Sequence, residues 1–251
     1  MSVTVWNRVK TDFHGRSVYG AMTKQAIIIL CIAVFMAGMA IGHFKPFPIR
    51  EIRNVFTRPA PAPEHSPVEA VSWKLRQSLF ATFAPTTKIV MVGASLIENA
   101  EWSDVFPGVS IANRGISGDT AEGVLARIDQ ISVLQPGKVF LMIGCNDLNA
   151  GHSVDRIMLA YTEIIRRLKS RGISVFVQST LFTGKELGIN GDVEKLNAAL
   201  EQFCKDQLCT FIDLNTVICP EGFLREPLTF DGIHLNGAGY MLWRDVVRPY
   251  L

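Results

Sequence analysis

The apolar and polar positions of the chain follow two different periodicities beyond residue 67. Short apolar runs, which are typical of buried strands, occupy 88–93, 109–113, 138–143, 173–178 and 210–213. Segments with apolar residues at helical spacing occupy 68–84, 121–131, 154–168, 193–203 and 238–247. Strands separated by helices require right-handed crossovers and a parallel sheet. The pattern therefore predicts an α/β fold, a three-layer α/β/α sandwich around a central parallel sheet of about five strands.

A different pattern precedes this domain. Residues 26–44 contain no Asp, Glu, Lys or Arg, and as a helix they would span about 28 Å, close to the thickness of a bilayer core. We expect a transmembrane anchor. The alternative is a cleaved signal peptide, because Gly38-Met39-Ala40 resembles a small-residue cleavage site. The basic region before the apolar run is long for a signal peptide, which favours the anchor.

The orientation of the anchor is weakly specified, because basic residues flank it on both sides. A single N-terminal anchor before one large domain most often exports that domain, so we expect an extracytoplasmic, periplasmic location. Six prolines between residues 45 and 67 predict an extended spacer. The predicted organisation is a basic tail at 1–25, a transmembrane anchor at 26–44, a Pro-rich linker at 45–67 and the folded domain at 68–251.

The composition gives no sign of a nucleic-acid partner and does not decide whether the cysteines form disulfides. The net charge of the 251 residues is +2, which gives no global signal for nucleic acid. Of the five cysteines, none forms the CxxC spacing of a zinc site. Cys204 and Cys209 are close enough in sequence to bridge in an oxidising compartment, and burial as reduced thiols is the alternative. The disulfide state of Cys219 is equally open.

Four polar clusters carry the candidate chemistry: 93–96 (GASL), 113–120 (NRGISGDT), 144–148 (GCNDL) and 231–236 (DGIHLN). The first three follow predicted strands, so they should converge at the carboxyl edge of the sheet, where open α/β sheets bind ligands. Each cluster alone has a structural explanation. Asp119 or Thr120 could cap a helix, GCNDL could form an Asx turn, and a lone His234 is more often structural. Their joint occurrence in this order favours an active site.

These clusters resemble the motifs of the SGNH (GDSL-like) hydrolase family, and more narrowly its platelet-activating-factor-acetylhydrolase-like bacterial branch. The resemblance extends from about residue 88 to 251 and implies an SGNH/flavodoxin-like fold. One position departs from the family pattern, because Ala94 stands where the family usually has aspartate. The matching positions are Gly93, Ser95 and Leu96 in the first block, Gly115 in the second, Gly144, Asn146 and Asp147 in the third, and Asp231 and His234 in the last.

The resemblance implies a serine esterase, and the residue types suit that chemistry. Ser95 would be the nucleophile, His234 the base that takes its proton, and Asp231 the carboxylate that orients the imidazole. The family's oxyanion hole would use the backbone N–H groups of Ser95 and Gly115 and the side-chain amide of Asn146. Ala94 is neither nucleophile nor base, so activity should survive its presence, although the hydrogen bonding of the first block is altered.

We expect no cofactor and no metal. Three of the five histidines lie outside the folded domain, and His152 and His234 lack zinc-site spacing. The sequence also lacks the glycine-rich loops that bind dinucleotides or nucleotides. The expected partners are a small acyl ester or O-acetylated glycan as substrate and the membrane through the N-terminal helix, with no nucleic acid. The oligomeric state is not specified.

The leading hypothesis is a membrane-anchored esterase that removes short acyl groups, acetyl above all, from an extracytoplasmic substrate such as an O-acetylated carbohydrate. A lysophospholipase or thioesterase acting on lipid acyl groups is the first alternative. A catalytically silent, tethered binding module is the second, and an acyltransferase is a variant of the leading hypothesis. We expect the irregular stretches 182–191 and 220–229 to determine specificity.

Overall fold

A computed structural model of the protein describes residues 71–207 and 209–251. The predicted tail at 1–25, anchor at 26–44, linker at 45–67 and the domain boundary near residue 67 lie outside the described residues. Among the helices of the described part, none combines the length and the apolar character needed to cross a bilayer.

The strands and helices alternate along the chain as the sequence pattern predicts. Five strands are present in the described residues: β1 (Ile89–Gly93), β2 (Ile111–Gly115), β3 (Lys138–Met142), β4 (Ser174–Gln178) and β5 (Thr210–Ile212). The α-helices are α1 (Val71–Thr82), α2 (Ser95–Glu98), α3 (Trp102–Val105), α4 (Ala121–Ala126), α5 (Ile128–Ser132), α6 (Cys145–Asn149), α7 (Val154–Lys169), α8 (Asn190–Gln207), α9 (Asn215–Ile218) and α10 (Gly237–Val247). Short 3₁₀ turns lie at Lys185–Leu187, Glu226–Leu228 and Arg248–Tyr250.

All strand pairs are parallel, and the order across the sheet is β2-β1-β3-β4-β5. This is the flavodoxin-like order, in which the chain turns to opposite sides of the sheet after β1 and after β3. The register pairs Gly93 at the end of β1 with Gly115 on one side and Met142 on the other. The carboxyl ends of the three strands therefore meet at one edge, as predicted.

Two apolar cores cover the two faces of the sheet, which confirms the three-layer arrangement. Val90 and Val92 of β1 point to one face, where α4, α5, α7 and α8 pack. Ile89 and Met91 point to the other face, where α2, α3, α9 and α10 pack. Because successive side chains of a strand point to opposite faces, a strand buried on both sides is apolar throughout, as β1 is.

Two predicted boundaries were wrong for a physical reason. Strand β2 ends at Gly115 rather than residue 113, because Asn113 and Arg114 are accommodated by hydrogen bonds to backbone carbonyls rather than by apolar packing. The predicted helix over 121–131 is interrupted at Arg127, whose buried side chain turns inward to pair with Asp119. The spacing of apolar residues along the chain does not reveal either effect. It also gave no prediction of the four-residue helices α2, α3 and α9 or of the five-residue α6, which are too short to show a helical repeat.

We expect Tyr161→Phe to destabilise the domain by about 1–3 kcal/mol, the cost of leaving buried polar groups unpaired. The Tyr161 hydroxyl, fully buried, donates to Ile143 O at 2.8 Å and accepts from Ile143 N at 3.1 Å. Urea unfolding measures the change. Tyr250→Phe is the matched control, because the Tyr250 hydroxyl has no hydrogen bond within the described part of the chain. Equal stability of the two variants would contradict the prediction.

We also expect Cys204 and Cys209 to form a disulfide when the protein meets oxidised glutathione. Their Sγ atoms lie 2.6 Å apart while both thiols are free, about 0.5 Å beyond a disulfide bond length. Each thiol gives up its hydrogen, and the oxidant leaves as reduced glutathione. Peptide mapping under non-reducing conditions should recover the linked pair. A Cys209→Ser variant is the control, and a wild-type map that shows only the two reduced cysteines would refute the prediction.

Candidate active site

Ser95 is presented by a tight turn between β1 and α2. A side chain on Gly93 would place its Cβ 2.1 Å from Met142 O, so only glycine fits at the end of β1. The carbonyl of Ala94 accepts hydrogen bonds from the N–H groups of Ile97 and Glu98, which begins α2. Ser95 is therefore the first helical residue beyond the strand and lies half-buried at the carboxyl edge of the sheet.

Ser95, His234 and Asp231 form one hydrogen-bonded chain across 139 residues of sequence. The Ser95 Oγ lies 2.9 Å from His234 Nε2, and His234 Nδ1 lies 2.7 Å from Asp231 Oδ2. Because Nδ1 faces a carboxylate, we assign the imidazole proton to Nδ1. Nε2 is then the acceptor for the serine hydroxyl, which is the arrangement of a nucleophile and its general base.

The Asp231 carboxylate is fixed by its own loop. Its Oδ1 accepts from the backbone N–H groups of Ile233 at 2.9 Å and His234 at 2.8 Å, and from the Thr229 hydroxyl at 3.3 Å. Partial burial raises the pKa of Asp231, but the hydrogen bonds from His234 and Ile233 outweigh it and hold that pKa well below its usual range. The carboxylate is therefore ionised at neutral pH.

Asn146 reaches the same edge from β3. Gly144, with φ of 126°, turns the chain from β3 into α6, a backbone conformation that L side chains rarely adopt. Asn146 Nδ2 donates one hydrogen to Asp119 O at 2.8 Å. An amide nitrogen has two hydrogens, so this bond fixes the orientation of the amide and leaves a second N–H for a ligand.

The structure contradicts the role predicted for Gly115. Its N–H already donates to Asn113 Oδ1 at 2.9 Å. It is buried beneath α2, where an added Cβ would lie 2.2 Å from Glu98 N. Gly115 is therefore required for close packing of β2 against the helix that carries Ser95, and it is not placed to donate to a substrate.

Gly118 is the residue that the sequence interpretation missed in this loop. It is exposed, with φ of 77°, and its N–H has no hydrogen-bond partner among the described residues. The next residue, Asp119, is joined to Asn146 through its carbonyl. The motif NRGISGDT contains both Gly115 and Gly118. The sequence feature that marks Gly118 is its place in a Gly-Asp pair directly before Thr120, which caps α4.

A buried ion pair supports this loop from below. Arg127 Nη2 and Asp119 Oδ2 lie 2.8 Å apart, both essentially inaccessible to solvent, and Arg127 Nη2 also donates to Gly93 O at 3.3 Å. Burial raises the pKa of Asp119, while Arg127 and the Trp73 indole N–H lower it. In the sequence, Asp119 is a candidate only for capping a helix, and no pattern marks Arg127.

A small cavity of about 30 Å³ opens beside Ser95. Its lining is mostly apolar and includes Leu181 and Ile233, together with the Cys145 thiol. Burial and the nearby charge of Asp147 raise the pKa of Cys145 to about 11, so this thiol is a neutral wall group. The cavity is small and partly open, so it offers a short apolar contact surface beside Ser95.

Ala94 also lines this cavity. The departure from the family pattern leaves no gap in the backbone hydrogen bonding here, because Arg127 serves the Gly93 carbonyl and α2 uses the Ala94 carbonyl. The contact between Ser95 and His234 is formed without a carboxylate at position 94.

The chain resembles part of a longer curated protein. The chain is 29% identical over 147 residues to an N-acylneuraminate cytidylyltransferase of Streptococcus agalactiae serotype V, covering 55% of this chain and 36% of that protein. The chain thus spans well under half the length of this curated relative.

Solved structures share the fold. A GDSL-like lipase from Bacteroides thetaiotaomicron superposes with a TM-score of 0.62 at 23% identity, covering 71% of this chain and 96% of that one. A mutant of Axe2, an acetylxylan esterase from Geobacillus stearothermophilus, superposes with a TM-score of 0.56 at 16% identity, covering 66% and 94%.

The sequence profile of the GDSL-like lipase/acylhydrolase family matches residues 81–242, which include every position of the four polar clusters. That match covers more than half of the chain and agrees with the flavodoxin-like strand order and with the Ser95–His234 contact. The protein therefore belongs to the GDSL-like lipase/acylhydrolase family.

Proposed function

We propose that the protein is a serine esterase that removes acetyl groups from carbohydrate esters through an acyl-enzyme on Ser95. The observation that carries the proposal is the hydrogen-bonded chain from Asp231 through His234 to Ser95, which ends beside a cavity of about 30 Å³. A hydroxyl is a weak nucleophile until a base accepts its proton. His234 Nε2 lies within hydrogen-bond distance of Ser95 Oγ and can accept that proton.

The reaction proceeds in two acyl transfers. His234 Nε2 accepts the proton of Ser95 as Oγ bonds to the ester carbonyl carbon, and the ionised Asp231 stabilises the imidazolium. The imidazolium then gives its proton to the departing alcohol, which leaves the acyl group on Oγ. Water attacks that acyl-enzyme with His234 again as the base, and acetate and free Ser95 result.

The negative charge on the attacked carbonyl oxygen needs donors that are already in place. We assign this role to the Ser95 N–H, the second N–H of the Asn146 amide and the Gly118 N–H. Gly118 replaces Gly115, since the latter's N–H is occupied by Asn113. The Asn146–Asp119 hydrogen bond places the amide next to the peptide group between Asp119 and Thr120, one residue beyond Gly118.

The size of the cavity supports a short acyl group. A small, mostly apolar cavity beside the nucleophile supports the methyl of an acetyl group over a fatty acyl chain. This favours an acetylesterase over the lysophospholipase or thioesterase alternative. The contact between Ser95 and His234 likewise favours an enzyme over a silent binding module.

The alcohol part of the substrate is proposed from the relatives. One curated relative is named for an N-acylneuraminate, an acylated sugar acid, and one structural neighbour is named for acetylxylan. Both are carbohydrates. We further propose that the segment at 26–44 anchors the enzyme and that the domain acts outside the cytoplasm. The absence of charged residues in that segment supports the anchor.

Replacement of the nucleophile tests the proposal directly. We expect Ser95→Ala to lower kcat for p-nitrophenyl acetate by about 10³-fold or more, because no hydroxyl remains to form the acyl-enzyme. Ser103→Ala, at an exposed serine on α3, is the matched control and should behave as wild type. Activity of Ser95→Ala equal to that of wild type would end the proposal.

The acyl preference should follow the cavity. We expect kcat/KM for p-nitrophenyl acetate to exceed that for the octanoate by about 10²-fold, because the longer chain has no space beside Ser95. Ile233→Ala enlarges the cavity from a half-buried position and should reduce this ratio. A wild-type enzyme with its maximum at long chains would contradict the acetylesterase assignment and favour a lipid substrate.

A further inference from the structure

Helix α1 packs directly against the loop between β2 and α4, which carries Gly118. Trp73, only 2% exposed, donates from Nε1 to Asp119 Oδ1 at 3.1 Å. Trp73 and Phe80 also form an apolar cluster with Ile116 of the same loop. The residues of α1 that make these contacts precede residue 81, where the family match begins.

A second set of contacts joins α1 to the helix of the nucleophile. Arg76 Nε donates to Gly115 O at 3.2 Å and lies 3.1 Å from Glu98 Oε1. Glu98, one turn beyond Ser95 on α2, accepts from Ser117 N at 2.5 Å through its other oxygen. The carboxylate of Glu98 thus connects the loop, the helix α2 and α1.

Phe80 anchors α1 among three guanidinium groups. The centre of its ring lies 4.5 Å from the Arg114 Cζ, 5.1 Å from that of Arg76 and 6.0 Å from that of Arg127. Cations over an aromatic face are attracted by its quadrupole, more strongly when water is excluded, and Phe80 is 6% exposed. The docking of α1 is therefore specific and depends on residues that themselves contact the loop.

We propose that Trp73 and Arg76 are positioning residues for the esterase reaction. They act through the segment 115–119, which they contact at Gly115 O and at the Asp119 carboxylate, on either side of Gly118. The position of the Gly118 N–H relative to Ser95 is then set in part by α1. The inference rests on the proposed acyl transfer at Ser95 and on Gly118 as a donor.

The two positioning residues have different chemical roles. Trp73 supplies the N–H that, with Arg127, fixes a buried carboxylate, and Asp119 in turn accepts from Asn146 through its carbonyl. Arg76 neutralises Glu98 and satisfies the carbonyl of Gly115. Loss of either contact should leave the triad intact, since neither residue is bonded to Ser95, His234 or Asp231. The effect should therefore fall on stabilisation of the transition state.

The test compares variants of the full chain with p-nitrophenyl acetate, with kcat expressed per site labelled by a fluorophosphonate probe. We expect Trp73→Phe, which keeps a ring and loses the N–H, to lower kcat about 10-fold, less than the about 10²–10³-fold loss for removing an oxyanion donor. KM should change by less than about twofold, because the interaction matters in the transition state. Leu79→Ala is the matched control on the exposed face of α1 and should match wild type.

Arg76→Gln provides the second measurement, and it decides the matter if Trp73→Phe does not fold. We expect a similar fall in kcat per labelled site, and a combined variant whose loss is smaller than the product of the two, because both act through one loop. A purely structural role would reduce the number of labelled sites and leave kcat per site unchanged.

The outcomes separate this inference from the proposed function. If Ser95→Ala is inactive while Trp73→Phe and Arg76→Gln both keep the wild-type kcat per labelled site, the positioning role is wrong and the esterase assignment stands. If Ser95→Ala is as active as wild type, the proposed function itself is wrong, and this inference falls with it.

Discussion

The site depends on one feature of the topology: between β1 and β3, the direction in which successive strands are added to the sheet reverses. The chain leaves β1 toward one face and β3 toward the other, so a crevice opens at the carboxyl ends of these two strands. Ser95 follows β1 and Asn146 follows β3, so the topology places them on either side of that crevice. His234 reaches it from the loop before α10. No single local motif could bring these groups together.

The second determinant is a buried charge pair that is shared between the fold and the site. Asp119 and Arg127 are both inaccessible to solvent and are hydrogen-bonded to each other. Isolated charges in such an environment would be costly, and additional partners are what make the pair tolerable. Those partners include Trp73 from α1 and the carbonyl of Gly93 beneath Ser95. The interaction thus fixes the loop of Gly118 relative to the nucleophile.

Much of this arrangement was predictable from the sequence, and the failures have a common physical cause. The apolar run 89–92 identified β1, and Ser95, Asn146, Asp231 and His234 followed from motifs at the ends of predicted elements. Two glycines share the motif that led to Gly115, and only the structure shows that the N–H of Gly115 donates to Asn113, which is why Gly118 is proposed in its place. Arg127 and Trp73 were missed because apolar periodicity does not reveal a polar side chain that turns into the core.

The surroundings of Phe80 have a consequence for where the catalytic unit begins. Burial and the charges of Arg127 and Arg76 lower the pKa of Arg114, a sign of how closely these cations are crowded. All three guanidinium groups lie near the face of the Phe80 ring, whose quadrupole attracts them. A fragment that began at residue 81, where the family profile begins, would lose Phe80 from this cationic cluster and the indole partner of Asp119. Helix α1 is therefore part of the folded unit that holds the loop of Gly118.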